Sequence, residues 1–446
     1  MWDSEGIHPR LIISISCHDL GRHLGCYGVA SVNSPNLDAL ARDGVRFDRA
    51  FCAAPQCSPS RAALATGRYP HSNGVMGLAH SNFGWDLLPE ERHVASLLAA
   101  HGYRTHLFGL QHVTPTPERL GFGEIHGDIE EAESGAQVSE AVARWCSSNR
   151  APEPTYLEIN LFEPHRPYDY GGVHPDDSHG VNIPGFLPEI DESQAEMAAL
   201  QGAIKATDNN IGRILDALGR NGVMDETLIL FTADHGIAMP RAKCTLYDPG
   251  IEIALIVRWP DGGFQAGTRS ELVGNVDALP TVLDSAGIVA PHNLQGRSFL
   301  PLLEGRPYEP RTAIYAEKTF HSYYDPMRAM RTERYKLIWN FESAFAVEVP
   351  GDVQQGAVFR SSPIRYSHDR PHAVELYDLA NDPIERDNLA ADRSYAERLD
   401  QMSAQLRRWM EDTEDPLLAG PIPSPHYRRL AASESRTPES RTPMSE

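Results

Sequence analysis

Four places along the chain set a histidine, an acid or both directly after a short apolar run. They are His18 with Asp19, Gln111 with His112, Glu163 with His165, and Asp234 with His235. Carboxylates and imidazoles bind divalent cations and move protons near neutral pH. Asp19, Asp234 and His235, with His18 beside them, have the composition of a divalent-cation site. One such pair alone reads as a helix cap or a surface pair, whereas four in register read as one site. A further stretch, PQCSPSRAAL from Pro55, adds a thiol. Ser58 is expected as N-cap and Pro59 as the first residue of a helix running to Thr66. Cys57 then sits at the helix mouth, where free N–H groups and the dipole favour an anion, and Arg61 adds a positive charge one turn in. On the residues alone Cys57 stays open between a packed thiol, a disulfide partner of Cys52, a metal ligand and a low-pKa nucleophile.

These positions need a frame. The run Leu11–Cys17 is rich in isoleucine, as in a strand buried on both faces. Ser34 and Pro35 open a helix through Asp43 that stops at Gly44. Strands are expected at 104–108, 156–162, 227–232 and 251–259, and helices at 93–100, 193–218 and 276–285. This alternation predicts an α/β fold, a mostly parallel sheet sandwiched by helices, in which ligands bind beyond the carboxyl ends of the strands. Past about residue 305 the pattern changes to short strands at 313–316 and 335–339 and an amphipathic helix at 395–410. The expected organisation is therefore a catalytic domain over 1–305, a smaller α+β domain over 306–425, and a disordered tail over 426–446 that holds a doubled ESRTP.

Composition narrows the function. With 446 residues, 41% hydrophobic and 23% charged, the chain is an ordinary globular protein. Its net charge of −21 argues against a nucleic-acid surface. No run approaches the length of a membrane span, and no signal peptide is apparent at the N-terminus, so a cytoplasmic protein without a membrane partner is expected. Six cysteines without a CxxC pair read as free thiols, Cys26 and Cys52 among them. His23, His71, His80, His93 and His174 are expected on the surface or as caps, with His71 near a pocket wall.

CSPSR followed by AALATGRYP resembles the signature of the type I sulfatases in the alkaline phosphatase superfamily. SPNLDALARDGVRF, FEPHRPY, FTADHG, KCTLYDPGIEIALIVRWP and ELYDLANDPIERDNLA extend the resemblance to about Pro416. HSNGVMGL, DPMRAMRTERYKLIWN and RWMEDTEDP resemble the heparan N-sulfatase branch. The resemblance implies that Cys57 is oxidised to formylglycine by a formylglycine-generating enzyme. It implies that Asp19, Asp234 and His235, with His18 and the group made from Cys57, hold one divalent metal. Arg61 and Lys243 would bind the sulfonate oxygens, His165 would protonate the leaving atom, and His112 would take the proton that releases sulfate. The substrate implied is a small sulfated molecule, a sugar ester or sulfamate. Two positions depart from the family pattern. His18 stands where an aspartate is usual, which admits manganese or zinc beside the expected calcium. Leu110 stands where a lysine is usual, which keeps a phosphonate monoester or phosphodiester hydrolase as the alternative and a non-catalytic binding protein behind it.

Overall fold

Ile12, Ile13 and Ile15 are fully buried, which is what a β-branched run achieves when helices cover both faces of its sheet. The computed structural model of the chain describes residues 7–79, 84–127, 133–148, 153–342, 348–367 and 372–434. Along it run β1 (Leu11–Cys17), β2 (Val45–Phe47), β3 (Ala50–Phe51), β4 (Arg104–Gly109), β5 (Glu124–His126), β6 (Thr155–Leu161) and β7 (Thr227–Ala233). They continue as β8 (Leu255–Arg258), β9 (Gly267–Arg269), β10 (Val273–Gly274), β11 (Ala313–Phe320), β12 (Tyr324–Thr332), β13 (Tyr335–Asn340) and β14 (Val374–Asp378).

Eight strands form one sheet in the order β5-β4-β6-β1-β7-β8-β2-β9. The first five run parallel, and β8 lies antiparallel to both β7 and β2. Helices Pro35–Asp43 and Gly135–Ser148 pack on this sheet, and the long helix Asp191–Arg220 packs against both. The order matters for function: β4, β6, β1 and β7 are consecutive neighbours. The four strand ends that carry His112, His165, Asp19 and Asp234 therefore lie side by side.

The second sheet is antiparallel, β11-β12-β13-β14. Helix Ala396–Asp412 buries Met402, Leu406, Trp409 and Met410 in the core it shares with this sheet, the helical spacing that the sequence shows. Two expected boundaries change. Strand 251–259 shrinks to β8, because Ile253 and Ala254 donate instead to the carbonyls of Ala50 and Gly21. The expected tail begins as a helix, Pro425–Glu434, and residues 435–446 lie outside the described residues, as does His80. Among the described residues no helix is long and apolar enough to cross a membrane.

The C-terminal sheet is fastened to the loops around Cys57. The Glu317 N–H donates to the Ala53 carbonyl at 2.8 Å and the Phe320 N–H to the Met76 carbonyl at 3.1 Å. His71, expected at the surface, is buried here: its backbone N–H and Nδ1 face Glu317 Oε1 at 3.0 and 2.8 Å. Glu317 Oε2 lies 3.2 Å from Arg328, whose guanidinium also binds Asp415 at 2.5 and 3.0 Å. A buried charge network loses several kcal/mol when one partner is removed, since the others stay desolvated. Asp415→Ala should therefore lower unfolding stability by about 3–5 kcal/mol, read by denaturant titration. A change below about 1 kcal/mol would show that the network is incidental.

Candidate active site

The turns that follow the strands carry strain. Asp19 has φ of 50° and His112 of 54°, left-handed values that non-glycine side chains rarely adopt. Asp19 and Asp234 end up against each other. The Asp19 N–H donates to Asp234 Oδ1 at 3.0 Å, and the His235 N–H donates to the same oxygen at 2.8 Å. Asp19 Oδ1 lies 3.1 Å from His235 Nε2, and Asp234 Oδ2 lies 3.0 Å from His18 Nδ1. His235 Nδ1 faces the Gly236 carbonyl at 2.9 Å and must carry the hydrogen, which leaves Nε2 as the nitrogen free to ligate. All four side chains are buried.

The helix that follows Gln56 starts at Cys57 and runs to Thr66, with Gln56 as cap. Ser58 is not the cap, because its Oγ accepts from the Ala79 N–H at 3.0 Å. Cys57 thus occupies the first helical position. Its Sγ lies 3.4 Å from His235 Nε2 and within 4.8 Å of ligand atoms of Asp19, Asp234, His18 and His165. Burial pushes its thiol far up, and the opposing pull of Lys243 does not compensate beside Asp234 and Asp19. These surroundings disfavour a thiolate. All six cysteines are unpaired, so the Cys52–Cys57 disulfide fails.

Lys243 Nζ donates to Asp19 Oδ2 at 2.9 Å and to Asp352 Oδ2 at 2.8 Å, and lies 3.3 Å from His165 Nε2. Burial opposes its charge, yet Asp19 and Asp352 outweigh burial and hold it well above the ordinary lysine value. The next residue, Cys244, donates its N–H to the Pro55 carbonyl at 2.9 Å, which ties this turn to the loop before Cys57. Around the cation, His165 faces the Arg166 carbonyl with Nδ1 and the cluster with Nε2, 3.7 Å from Asp19 Oδ2. The side chains of His165 and Asp352 are 21% and 23% exposed, so they form the rim open to solvent. The His112 ring packs edge-on against His18 at 5.3 Å.

All nine residues expected at the site are therefore brought together, and Arg61 is engaged with neighbours in the sheet. Its guanidinium donates to Asp234 Oδ2 at 3.2 Å, Ser16 Oγ at 2.9 Å and Asn160 Oδ1 at 3.1 Å. Ser16 and Asn160 belong to β1 and β6, so Arg61 supports Asp234 from within the sheet. Gln111 and His71, two candidates to stand in for a lysine at 110, are both held elsewhere. Gln111 binds its own loop at Thr114 and Val113, and His71 is held by Glu317. Leu110 is half-buried. Sequence reading missed Asp352, Ser16 and Asn160. The last two were visible as polar residues inside apolar strands, whereas Asp352 sits in VPGDVQQG, which carries no motif.

The donor set fits a divalent cation. Asp19, Asp234 and His235 present ligand atoms within 4.8 Å of one another. Asp19 Oδ1 accepts no hydrogen bond although it is buried. Burial, with Arg61, pushes His18 down to about 3 despite Asp234, so it is neutral and its lone pair is available. Three carboxylates, Asp19, Asp234 and Asp352, face two cationic side chains, Lys243 and Arg61, so these fixed charges leave one net negative charge. A divalent ion turns that into a positive site for an anionic substrate.

A mostly parallel sheet with such a cluster on its carboxyl edge, joined to a small antiparallel domain, defines the alkaline phosphatase-like class of hydrolases. Residues 2–288 match the sulfatase family model, and residues 239–354 match that of the N-sulphoglucosamine sulphohydrolase C-terminal region. The chain belongs to the sulfatase family and is a sulfuric ester hydrolase. It is 29% identical to human N-sulphoglucosamine sulphohydrolase over 466 positions, covering 93% of this chain and 92% of the relative. It is 30% identical to human arylsulfatase A over 434 positions, covering 85% and 83%. A structure solved with its substrate D-glucosamine-2-N,6-O-disulfate superposes with a TM-score of 0.70 at 20% identity over 92% of this chain and 98% of that one. The phosphonate monoester hydrolase of Agrobacterium radiobacter superposes equally, at 0.70 and 23% identity over 92% and 97%. These structures share the fold.

Asp352 supplies one of the two carboxylates that balance Lys243. Asp352→Ala should cost a charged hydrogen bond of about 2 kcal/mol, roughly thirtyfold in kcat/KM, with the fold intact by circular dichroism. Activity within about twofold of wild type would show that Asp352 only closes the rim.

Proposed function

We propose that the chain hydrolyses a sulfate ester or sulfamate carried by a sugar, with formylglycine at position 57 and one divalent cation. The observation that carries this reading is the placement of Cys57 at a helix N-terminus, among Asp19, His235, Lys243 and His165. Oxidised by a formylglycine-generating enzyme, residue 57 supplies a hydrated aldehyde as nucleophile toward sulfur. Asp19, Asp234 and His235, with His18, would hold the cation, which supplies positive charge for the sulfonate oxygens. Two carboxylate ligands favour calcium, and the two imidazoles admit manganese or zinc. Lys243 holds a fixed positive charge beside Asp19 and is aimed at the same pocket as His165. His165, whose Nδ1 hydrogen is held by the Arg166 carbonyl, lies at the solvent-facing rim with Nε2 toward the cluster, and as the imidazolium it would give the Nε2 proton to the leaving oxygen or nitrogen. His112 accepts the proton that must leave for sulfate to depart. Arg61 keeps Asp234 ionised and oriented.

The sugar is supported by the match to N-sulphoglucosamine sulphohydrolase, which extends through that protein's C-terminal region. Six unpaired thiols suit a reducing compartment, and we place the enzyme in the cytoplasm. Leu110 favours one rival, a phosphonate or phosphodiester hydrolase, because it withholds a cation from the three oxygens of a sulfonate group.

Parallel assays on sugar sulfates, sulfamates, a phosphonate monoester and a phosphodiester, with protein made alongside the maturation enzyme, decide between them. Sulfate or sulfamate turnover should exceed the phosphorus esters by about tenfold or more in kcat/KM, about 1.4 kcal/mol. Leu110→Lys should then raise aryl sulfate turnover. The reverse preference, with Leu110→Lys lowering activity on every ester, would replace this reading by the rival.

A further inference from the structure

A second ligand cluster lies on the outer edge of the main sheet. β5 pairs parallel to β4, with His106 opposite Glu124 and Phe108 opposite His126. Alternation along each strand puts His106, Glu124 and His126 on one face. His106 Nδ1 lies 3.1 Å from His126 Nε2 and 3.6 Å from Glu124 Oε2, and His126 Nε2 lies 3.8 Å from that oxygen. An ion with tetrahedral bonds of about 2.0–2.1 Å holds its ligand atoms about 3.4 Å apart. The three separations straddle that length.

The surroundings orient all three groups. Arg104 takes the other carboxylate oxygen, Glu124 Oε1, at 3.3 Å and shares its charge with Glu153 at 3.4 Å. Oε2 is thereby turned to the imidazoles. Trp145 packs edge-on against His106 at 5.3 Å, and Phe108 stacks on His126 at 4.1 Å, which fixes both ring planes. A hydrogen shared between the two imidazoles accounts for the 3.1 Å approach alone. It leaves Glu124 beyond hydrogen-bond reach of either ring. A metal ion accounts for all three approaches.

We propose that His106, Glu124 and His126 bind a zinc-class ion, with water in the fourth position, at a site separate from the catalytic cation. Two nitrogens and one oxygen select a borderline transition ion over calcium. A groove of about 640 Å³ lined by His126, Gln137, Glu140 and Trp145 opens beside the cluster and admits ion and water. The ion would clamp β5, a three-residue edge strand, onto β4.

The test uses the full-length protein, stripped with chelator and then held in excess calcium to fill the catalytic site. Zn²⁺ titrated by calorimetry should bind with one further equivalent and raise Tm, and Co²⁺ should give the intense visible bands of tetrahedral coordination. His126→Ala and Glu124→Gln should each weaken this binding at least about tenfold, while metal-free Tm and turnover stay unchanged. If His126→Ala fails to fold, Glu124→Gln decides alone, because its side chain is half exposed. Zinc uptake that persists in Glu124→Gln, or no uptake by wild type in calcium, overturns the proposal.

Discussion

Two carboxylates, Asp19 and Asp234, stand side by side with no access to water, and the rest of the molecule is arranged to make that tolerable. Isolated buried carboxylates would neutralise rather than stay charged. Burial does push both toward the neutral form. Lys243, His165 and His235 nevertheless hold Asp19 below the usual carboxylate range, and His235, His18 and Arg61 hold Asp234 well below it. Lys243 reaches Asp19 because Cys244 is tied to Pro55, and Arg61 reaches Asp234 with Nε because Ser16 and Asn160 fix its Nη1. The remaining negative charge creates the demand for a cation. The fold therefore stores, at one edge of one sheet, the field that a charged substrate needs.

The C-terminal domain is part of this arrangement. Gln56, the residue that caps the helix of Cys57, donates its side-chain N–H to the Phe320 carbonyl at the end of β11. Glu317, three residues earlier, joins Ala53, His71 and Arg328. The segment around Asp352 returns from the same domain to close Lys243 in, and Glu196 on the long helix accepts from the Val358 N–H to hold that segment down. Position 57 is thus fixed from both domains. This explains why the site residues span the chain from His18 to Asp352.

Strand positions were legible because parallel strands buried on both faces read as continuous apolar runs, whereas the adjacency of β4, β6, β1 and β7 is a matter of topology that local sequence does not carry. The start of the Cys57 helix was not legible, because Ser58 has the right chemistry for a cap and spends it on Ala79. The contacts of Arg61 with Asp234, Ser16 and Asn160 were not legible, since sequence spacing gives a helix face without saying what lies across from it. The burial of His71, expected as a surface or capping residue near a pocket wall, was not legible because its partner Glu317 lies 246 residues away. Asp352 had no local signature at all: its role exists only once Lys243 has been buried.

The central claim is that position 57 acts as formylglycine and not as cysteine. Quantitative mass spectrometry of the peptide containing residue 57, across preparations made with differing amounts of the maturation enzyme, tests it most directly against sulfatase activity. The account predicts that specific activity rises in proportion to the converted fraction and vanishes as that fraction approaches zero. Full activity in protein whose residue 57 is unmodified cysteine would contradict it.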